Sequence, residues 1–212
     1  MLTVTEPQAP ERAAATRAMR SLERAFLLGV EGTTEILLVR HGDAYEGLDG
    51  SLDGFMDSDP GLSPSGREQA RRLAERLGRL GVDAVYSSPL RRARETAAAI
   101  GIPVTSDERL VEVAADTTGG VVELQEDPAA TVRRMAAAVA DAVARHPGGR
   151  VAMVGHGVAI LHYLCDVLRI APGTLRVLPY YTSVNVIRIK EDRRMVGAIA
   201  DVAHLEGLAW LP

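Results

Sequence analysis

Arg40-His41-Gly42 closes an apolar run, Ile36-Leu37-Leu38-Val39, so an arginine and a histidine stand where a buried strand opens into a loop. The arrangement recurs far along the chain, where Val151-Ala152-Met153-Val154 runs into Gly155-His156-Gly157. Two strands thus each deliver a histidine to a carboxyl end, the edge of an open α/β sheet at which ligands bind. Two imidazoles flanked by arginines suit a dianionic phosphate. Each piece alone has a plain structural reading. A histidine beside a strand is more often a satisfied hydrogen-bonding group than a catalyst, and Gly155-His156-Gly157 can be only a turn.

Two further segments change the weight of the pattern: Ser87-Ser88-Pro89-Leu90-Arg91-Arg92-Ala93-Arg94-Glu95-Thr96-Ala97 and Leu110-Val111-Glu112. In this order, the four segments resemble the histidine phosphatase superfamily, the phosphoglycerate mutase-like proteins, and the branch whose proton donor is a glutamate shortly after the second arginine motif. Asp59-Pro60-Gly61-Leu62-Ser63-Pro64-Ser65-Gly66 with Gln69-Ala70 is similar to that family's early helix start, and Tyr181-Thr182-Ser183-Val184-Asn185 to its late strand. The resemblance runs from Glu35 to about Ile189. It implies a phosphomonoesterase acting on a small phosphorylated metabolite through a phosphohistidine. The alternatives are mutase-type phosphoryl transfer and a phospholigand-binding module without catalysis.

The chemistry accounts for the residue types. Arg40, Arg92 and His156 would surround the phosphoryl oxygens, and arginine is suited to bidentate contacts. Their charge disfavours a protonated His41, which keeps a nitrogen lone pair available to attack phosphorus. By resemblance, the other ring nitrogen of His41 donates to a backbone carbonyl of the following loop. Glu112 would hand a proton to the leaving oxygen, its carboxyl held protonated by the neighbouring phosphate dianion, and would later act as base on the attacking water. The helix opening at Gly157 adds backbone N–H donors for the anion. Arg91 is read as a solvated residue, and Arg94 as a pocket-edge residue or a partner of Glu95. No cofactor and no metal is required. His41, His156 and Glu112 make a metal triad on paper, but two adjacent cations, Arg40 and Arg92, oppose it.

Two departures bear on substrate. Family members commonly carry an acid or amide and then a hydroxyl after the glycine that follows the nucleophile; here Asp43 matches loosely and Ala44 lacks the hydroxyl. The stretch after Glu112, Val113 to Gly120, lacks the usual aromatic-Gly pattern and is short, and a thin cover over the site favours hydrolysis over transfer. Asp43, Glu46, Asp49, Asp53, Asp57 and Asp59 precede the first helix of the motif region without one lysine or arginine, and Asp116, Glu123, Glu126 and Asp127 follow Glu112. Either these acids rim the pocket and repel a second phosphate, or they form a solvated loop.

Elements that alternate between strand and helix must position these residues. The pattern predicts an α/β three-layer sandwich, a mostly parallel central sheet with helices on both faces. Strands are expected at Glu35–Arg40, Asp83–Tyr86, weakly at Val104, and at Val151–Val154, with a late hairpin of Thr182–Lys190 and Met195–Ala200 turning at Asp192. Helices are expected from Ser63, as N-cap, to Leu80 with Gly81 beyond it, from Ser87 to Ile100, from Pro128 to His146, and from Gly157 to Leu168. Gly42 to Leu62 is a long loop, Arg109 to Glu126 has no clear period, and Val202 to Pro212 is undetermined. Residues 33–212 form one domain, and residues 1–32 an extension with one amphipathic helix, Glu11–Leu28.

The chain has 212 residues, a net charge of −4 and one cysteine, Cys165. The charge gives no footprint for nucleic acid or an anionic membrane. A lone cysteine in an apolar stretch reads as a buried thiol, and the cytoplasm is the default location. The charges spread along Glu11–Leu28 do not fit a signal peptide or a membrane span. The helix packs on the domain or on a second subunit, and it and the late hairpin are candidate surfaces for a homodimer.

Overall fold

The computed structural model describes residues 9–44, 59–116 and 122–208. After α1 (Ala9–Ala25), the chain forms β1 (Thr34–Arg40), α2 (Pro64–Leu80), β2 (Ala84–Ser87), α3 (Arg91–Ala98) and β3 (Val104–Ser106). A 3₁₀ turn at Glu108–Leu110 and a two-stranded ribbon, β4 (Ala115–Asp116) and β5 (Glu123–Leu124), lead to α4 (Pro128–Arg145). Then come β6 (Arg150–Gly155), α5 (Gly157–Leu168), β7 (Val184–Lys190), β8 (Arg193–Asp201) and a 3₁₀ turn at Ala203–Leu205. The six-stranded sheet has the order β3-β2-β6-β1-β7-β8. Its β3, β2, β6 and β1 are mutually parallel, and β7 runs antiparallel to both its neighbours.

Strand alternation assigns the two faces. Ile36 and Leu38 of β1, with Val151 and Met153 of β6, pack with Met135, Val139 and Ala142 of α4 and Ile160, Tyr163 and Leu164 of α5. Leu37 and Val39, with Ala152 and Val154, pack with Leu73 and Leu77 of α2 and Ala93 and Ala97 of α3. The sheet is therefore covered on both sides, which is why β1 and β6 read as continuous apolar runs. β1 and β6 lie side by side with Arg40 level with Gly155, yet the helices that follow them go to opposite faces. That divergence opens a crevice beyond their carboxyl ends, the switch point at which such sheets bind ligands.

The expected elements form with small shifts that have local causes. Ser63 caps α2 by accepting from the Gly66 N–H at 2.9 Å, Pro64 opens the helix, and Gly81 ends it at φ 71°. The leader helix ends at Ala25, short of Leu28. Leu27 (φ 58°) and Gly29 (φ 63°) turn left-handed there, Leu27 is buried, and Arg193 donates to the Ala25 carbonyl. The third helix starts at Arg91 and not at Ser87, because Leu90 is still extended at ψ 137°. The aperiodic stretch Arg109–Glu126 holds the 3₁₀ turn and the ribbon. Most of the loop expected at Gly42–Leu62 lies outside the described residues, as do 117–121 and the end of the tail.

Gly66 is where β1's exit loop meets α2. An added Cβ there would lie 1.9 Å from the Asp43 carbonyl oxygen, whereas at Gly78 in the same helix nothing lies within 4 Å of it. Gly66→Ala should cost roughly 2–3 kcal/mol or more, while Gly78→Ala should stabilise by about 0.5–1 kcal/mol. Urea melts of the two variants check this pair, and equal effects would contradict the close approach.

Candidate active site

His41 follows the last residue of β1, and its N–H donates to the Gly155 carbonyl of β6 at 2.9 Å. Its ring is 2% exposed. Nδ1 lies 2.7 Å from the Gly42 carbonyl, an acceptor, so Nδ1 carries the proton. Nε2 then has the lone pair, and it accepts from Arg92 Nε at 3.2 Å. Burial, then the Arg92 guanidinium, hold His41 well below the ordinary imidazole value of 6.5; the Gly42 bond works in the opposite direction and Arg40 adds to the lowering. Tautomer and charge state are thus fixed together: neutral, with Nε2 unprotonated.

Arg92 comes from the first turn of α3 and is 5% exposed. Besides His41 it donates from its second terminal nitrogen to His156 Nδ1 at 3.3 Å. Arginine can only donate, so His156 carries its proton on Nε2, which lies 2.9 Å from Ser88 Oγ. Burial, then His41 and the arginines, also keep His156 well below the ordinary value. The two imidazole centroids are 5.1 Å apart. Among the described residues the nearest carboxylate to Arg92 is Asp59, with Oδ1 3.9 Å from its guanidinium. Asp59 uses the same oxygen to accept the Arg91 N–H at 2.8 Å. A buried guanidinium with so little counter-charge among the described residues is an attractor for an anion.

Arg40 donates to the Pro179 carbonyl at 2.9 Å and lies over the Tyr181 ring, 4.2 Å from its centroid. Its Nε is buried and lacks a hydrogen-bond partner among the described residues. The side chain lies against the start of α5, where a Cβ added at Gly157 would sit in van der Waals contact with it, 3.4 Å from Arg40 Nε.

Glu112 reaches the same helix start from the far side. Its Oε1 accepts from Val113 N at 2.9 Å and Ala159 N at 3.0 Å, and Oε2 from Val158 N at 3.3 Å. Arg134 of α4 holds the segment by donating to the carbonyls of Arg109 and Val111, at 2.8 and 2.7 Å. The expectation that the amides after Gly157 serve a bound anion needs correction for two of them, because Val158 and Ala159 give their N–H groups to Glu112.

All six residues singled out from sequence, Arg40, His41, Arg92, Glu112, His156 and Gly157, therefore lie at the carboxyl edge of the parallel strands. The flanking readings change more. Arg91, not Arg94, pairs with Glu95, at 2.7 Å. Of the described acids expected at a rim or in a solvated loop, Glu123 is exposed and several others are structurally engaged. Asp43 accepts from Ser63 Oγ at 2.7 Å, Glu126 pairs with Arg134 at 2.7 Å, and Asp127 caps α4.

Sequence reasoning missed Ser88, Thr96, Arg134 and Thr182. Ser88 and Thr96 stand inside the arginine segment, where a hydroxyl reads as a cap or a helix residue. Thr182 is β-branched yet sits at φ 54°, a rare conformation for such a residue. Its N–H lies 3.0 Å from the Arg40 carbonyl and 3.3 Å from that of His41. Its hydroxyl meets His204 Nε2 at 3.0 Å. No sequence signal marks that geometry.

Fold and site define a class: α/β sandwich proteins that gather two histidines and two arginines where the helices diverge from the sheet. The chain belongs to the histidine phosphatase superfamily (branch 1), whose family model matches residues 36–123 and 114–202. It is 30% identical over 210 residues to the metal-independent phosphoserine phosphatase of Arabidopsis thaliana, covering 84% of this chain and 86% of that one. It is also 30% identical over 213 residues to phosphoglycerate mutase-like protein 4 of the same plant, covering 84% and 89%. The crystal structure of phosphoserine phosphatase from Entamoeba histolytica in complex with 3-phosphoglyceric acid shares the fold. Its TM-score is 0.69 at 22% identity, over 81% of this chain and 99% of that one.

Proposed function

We propose that the protein is a phosphomonoesterase that hydrolyses a small phosphorylated metabolite through a phosphohistidine at His41. The observation that carries this reading is the buried, neutral His41 with its Nε2 lone pair turned to Arg92. An arriving phosphate dianion takes over the hydrogen bonds of Arg92, which frees the lone pair; Arg40 adds its buried Nε–H, and the proton His156 has to offer is the one on Nε2, shared with Ser88 Oγ. His41 Nε2 then forms a bond to phosphorus as the P–O bond to the alcohol breaks in line. Glu112 gives its proton to the departing oxygen. Its Oε2, which accepts only the long 3.3 Å contact from Val158, is the oxygen to carry that proton. In the second half water attacks phosphorus, Glu112 takes the water's proton, and His41 leaves with its electron pair. The sum is ester plus water giving alcohol plus phosphate.

Hydrolysis is favoured over transfer by the short segment after Glu112, Val113 to Gly120, which lacks the family's usual aromatic-Gly pattern. The reading needs no metal: Arg92 Nε occupies the face of His41 Nε2 at which a metal would bind. Phosphoserine and phosphoglycerate are the first esters to assay, on the names of the relatives. We also propose a cytoplasmic location, on the ground of the single buried cysteine. No helix among the described residues is long and apolar enough to cross a membrane.

His41→Ala should lower phosphate release from p-nitrophenyl phosphate by about a thousandfold or more, and wild type quenched in alkaline detergent should carry base-stable, acid-labile phosphate that the variant lacks. Glu112→Gln should slow the single-turnover phosphorylation of His41 by alkyl phosphates about 10²–10⁴-fold, and by p-nitrophenyl phosphate, whose phenolate needs little protonation, much less. Equal rates for wild type and His41→Ala would reject the mechanism. Acceptor-dependent transfer without phosphate release would favour a mutase.

We further propose that residues 1–32 are an extension to the domain and that a second copy covers α1. Met19 and Leu22 of α1, with Phe26 just beyond its end, form a stripe that is 54–57% exposed. Sedimentation equilibrium should give a dimer that Leu22→Glu dissociates, and a monomer at all micromolar concentrations would contradict this.

A further inference from the structure

Thr96 lies on α3 one turn beyond Arg92 and is fully buried. Its hydroxyl donates to the Arg92 carbonyl at 2.7 Å, a bond that any helical threonine can make to the preceding turn. The same oxygen also accepts the Gly42 N–H at 2.9 Å, across 54 residues of sequence. Gly42 is the residue whose carbonyl receives the His41 Nδ1 proton at 2.7 Å. Arg92 is the residue whose Nε meets the other His41 nitrogen at 3.2 Å.

These four hydrogen bonds close a ring. His41 Nδ1–H points to Gly42, the Gly42 N–H to Thr96, the Thr96 O–H to the Arg92 backbone, and the Arg92 side chain returns to His41 Nε2. We propose that Thr96 is a positioning residue of the proposed reaction: its hydroxyl ties the loop that orients the His41 imidazole to the helix that carries Arg92. Nucleophile and phosphate-binding guanidinium then keep one geometry although they come from separate elements.

The chemistry limits what can stand there. The position needs one proton to give and one lone pair to receive, both on an atom at the end of a short, stiff side chain. Serine supplies both with a freer rotamer. Valine matches the shape but leaves the buried Gly42 N–H without a partner. The loop cannot readily shift to compensate, because a Cβ at Gly42 would already lie 2.7 Å from the Gly66 carbonyl oxygen.

The inference rests on the phosphatase reading, and its test separates the two. With p-nitrophenyl phosphate, Thr96→Val should lower the single-turnover rate of His41 phosphorylation about 10- to 100-fold, while KM changes by no more than about threefold. Thr96→Ser should restore the rate to within about threefold of wild type. Should Thr96→Val fail to fold, Thr96→Cys, which differs from Thr96→Ser only in a weakly hydrogen-bonding sulfur for the hydroxyl oxygen, should show the same split. A purely structural threonine would lower Tm in the valine and cysteine variants and leave the rate per folded molecule intact, and that outcome overturns the proposal. Loss of wild-type turnover to phosphohistidine would overturn the reading beneath it instead.

Discussion

The structure depends on keeping an imidazole uncharged while guanidinium groups stand beside it. His41 has its proton drawn to the Gly42 carbonyl and its lone pair turned to Arg92. Each bond would be enough to bias the tautomer; together they leave one state. Burial alone would also keep the ring neutral, but it would not say which nitrogen is free. The orientation comes from the two partners, one in the loop after β1 and one on α3.

Those partners determine what the rest of the fold must do. β1 and β6 lie adjacent and in register, so His41 and His156 emerge one residue past Arg40 and Gly155. α2 and α3 cover one face, α4 and α5 the other, and the crevice between them holds the site. The helix that follows His156 has its first amides satisfied by Glu112, so the candidate acid doubles as that helix's anchor. Thr182 is bent into a left-handed backbone to bond the carbonyls of Arg40 and His41 from the antiparallel side. Strain of this kind costs about 1–3 kcal/mol and persists where the surroundings over-determine it.

Much of this was legible in the chain. The apolar runs before Arg40 and Gly155 specify buried parallel strands, and Ser63-Pro64 and Gly157 mark helix starts whose chemistry is local. The six candidate residues follow from the motif order that resembles the family, although sequence placed Arg92 inside a helix opening at Ser87 and Glu112 in a stretch without period. What was not legible depends on contacts between distant segments. A hydroxyl such as Ser88 or Thr96 looks alike whether it caps a turn or orients a histidine. Carboxylates such as Asp43 and Glu126 look like a charged loop until Ser63 and Arg134 are seen to hold them. The Glu112 geometry was also hidden, since its three amide donors come from its neighbour Val113 and from α5, more than 40 residues away.

The claim on which everything turns is the protonation of one ring. Long-range proton–nitrogen NMR correlation spectra of nitrogen-15-labelled protein read it directly. His41 should show a protonated Nδ1 and an unprotonated Nε2 from about pH 8 down to about pH 6, with no titration over that range. An Nε2-protonated tautomer, or an imidazolium forming near the ordinary value of 6.5, would contradict the account.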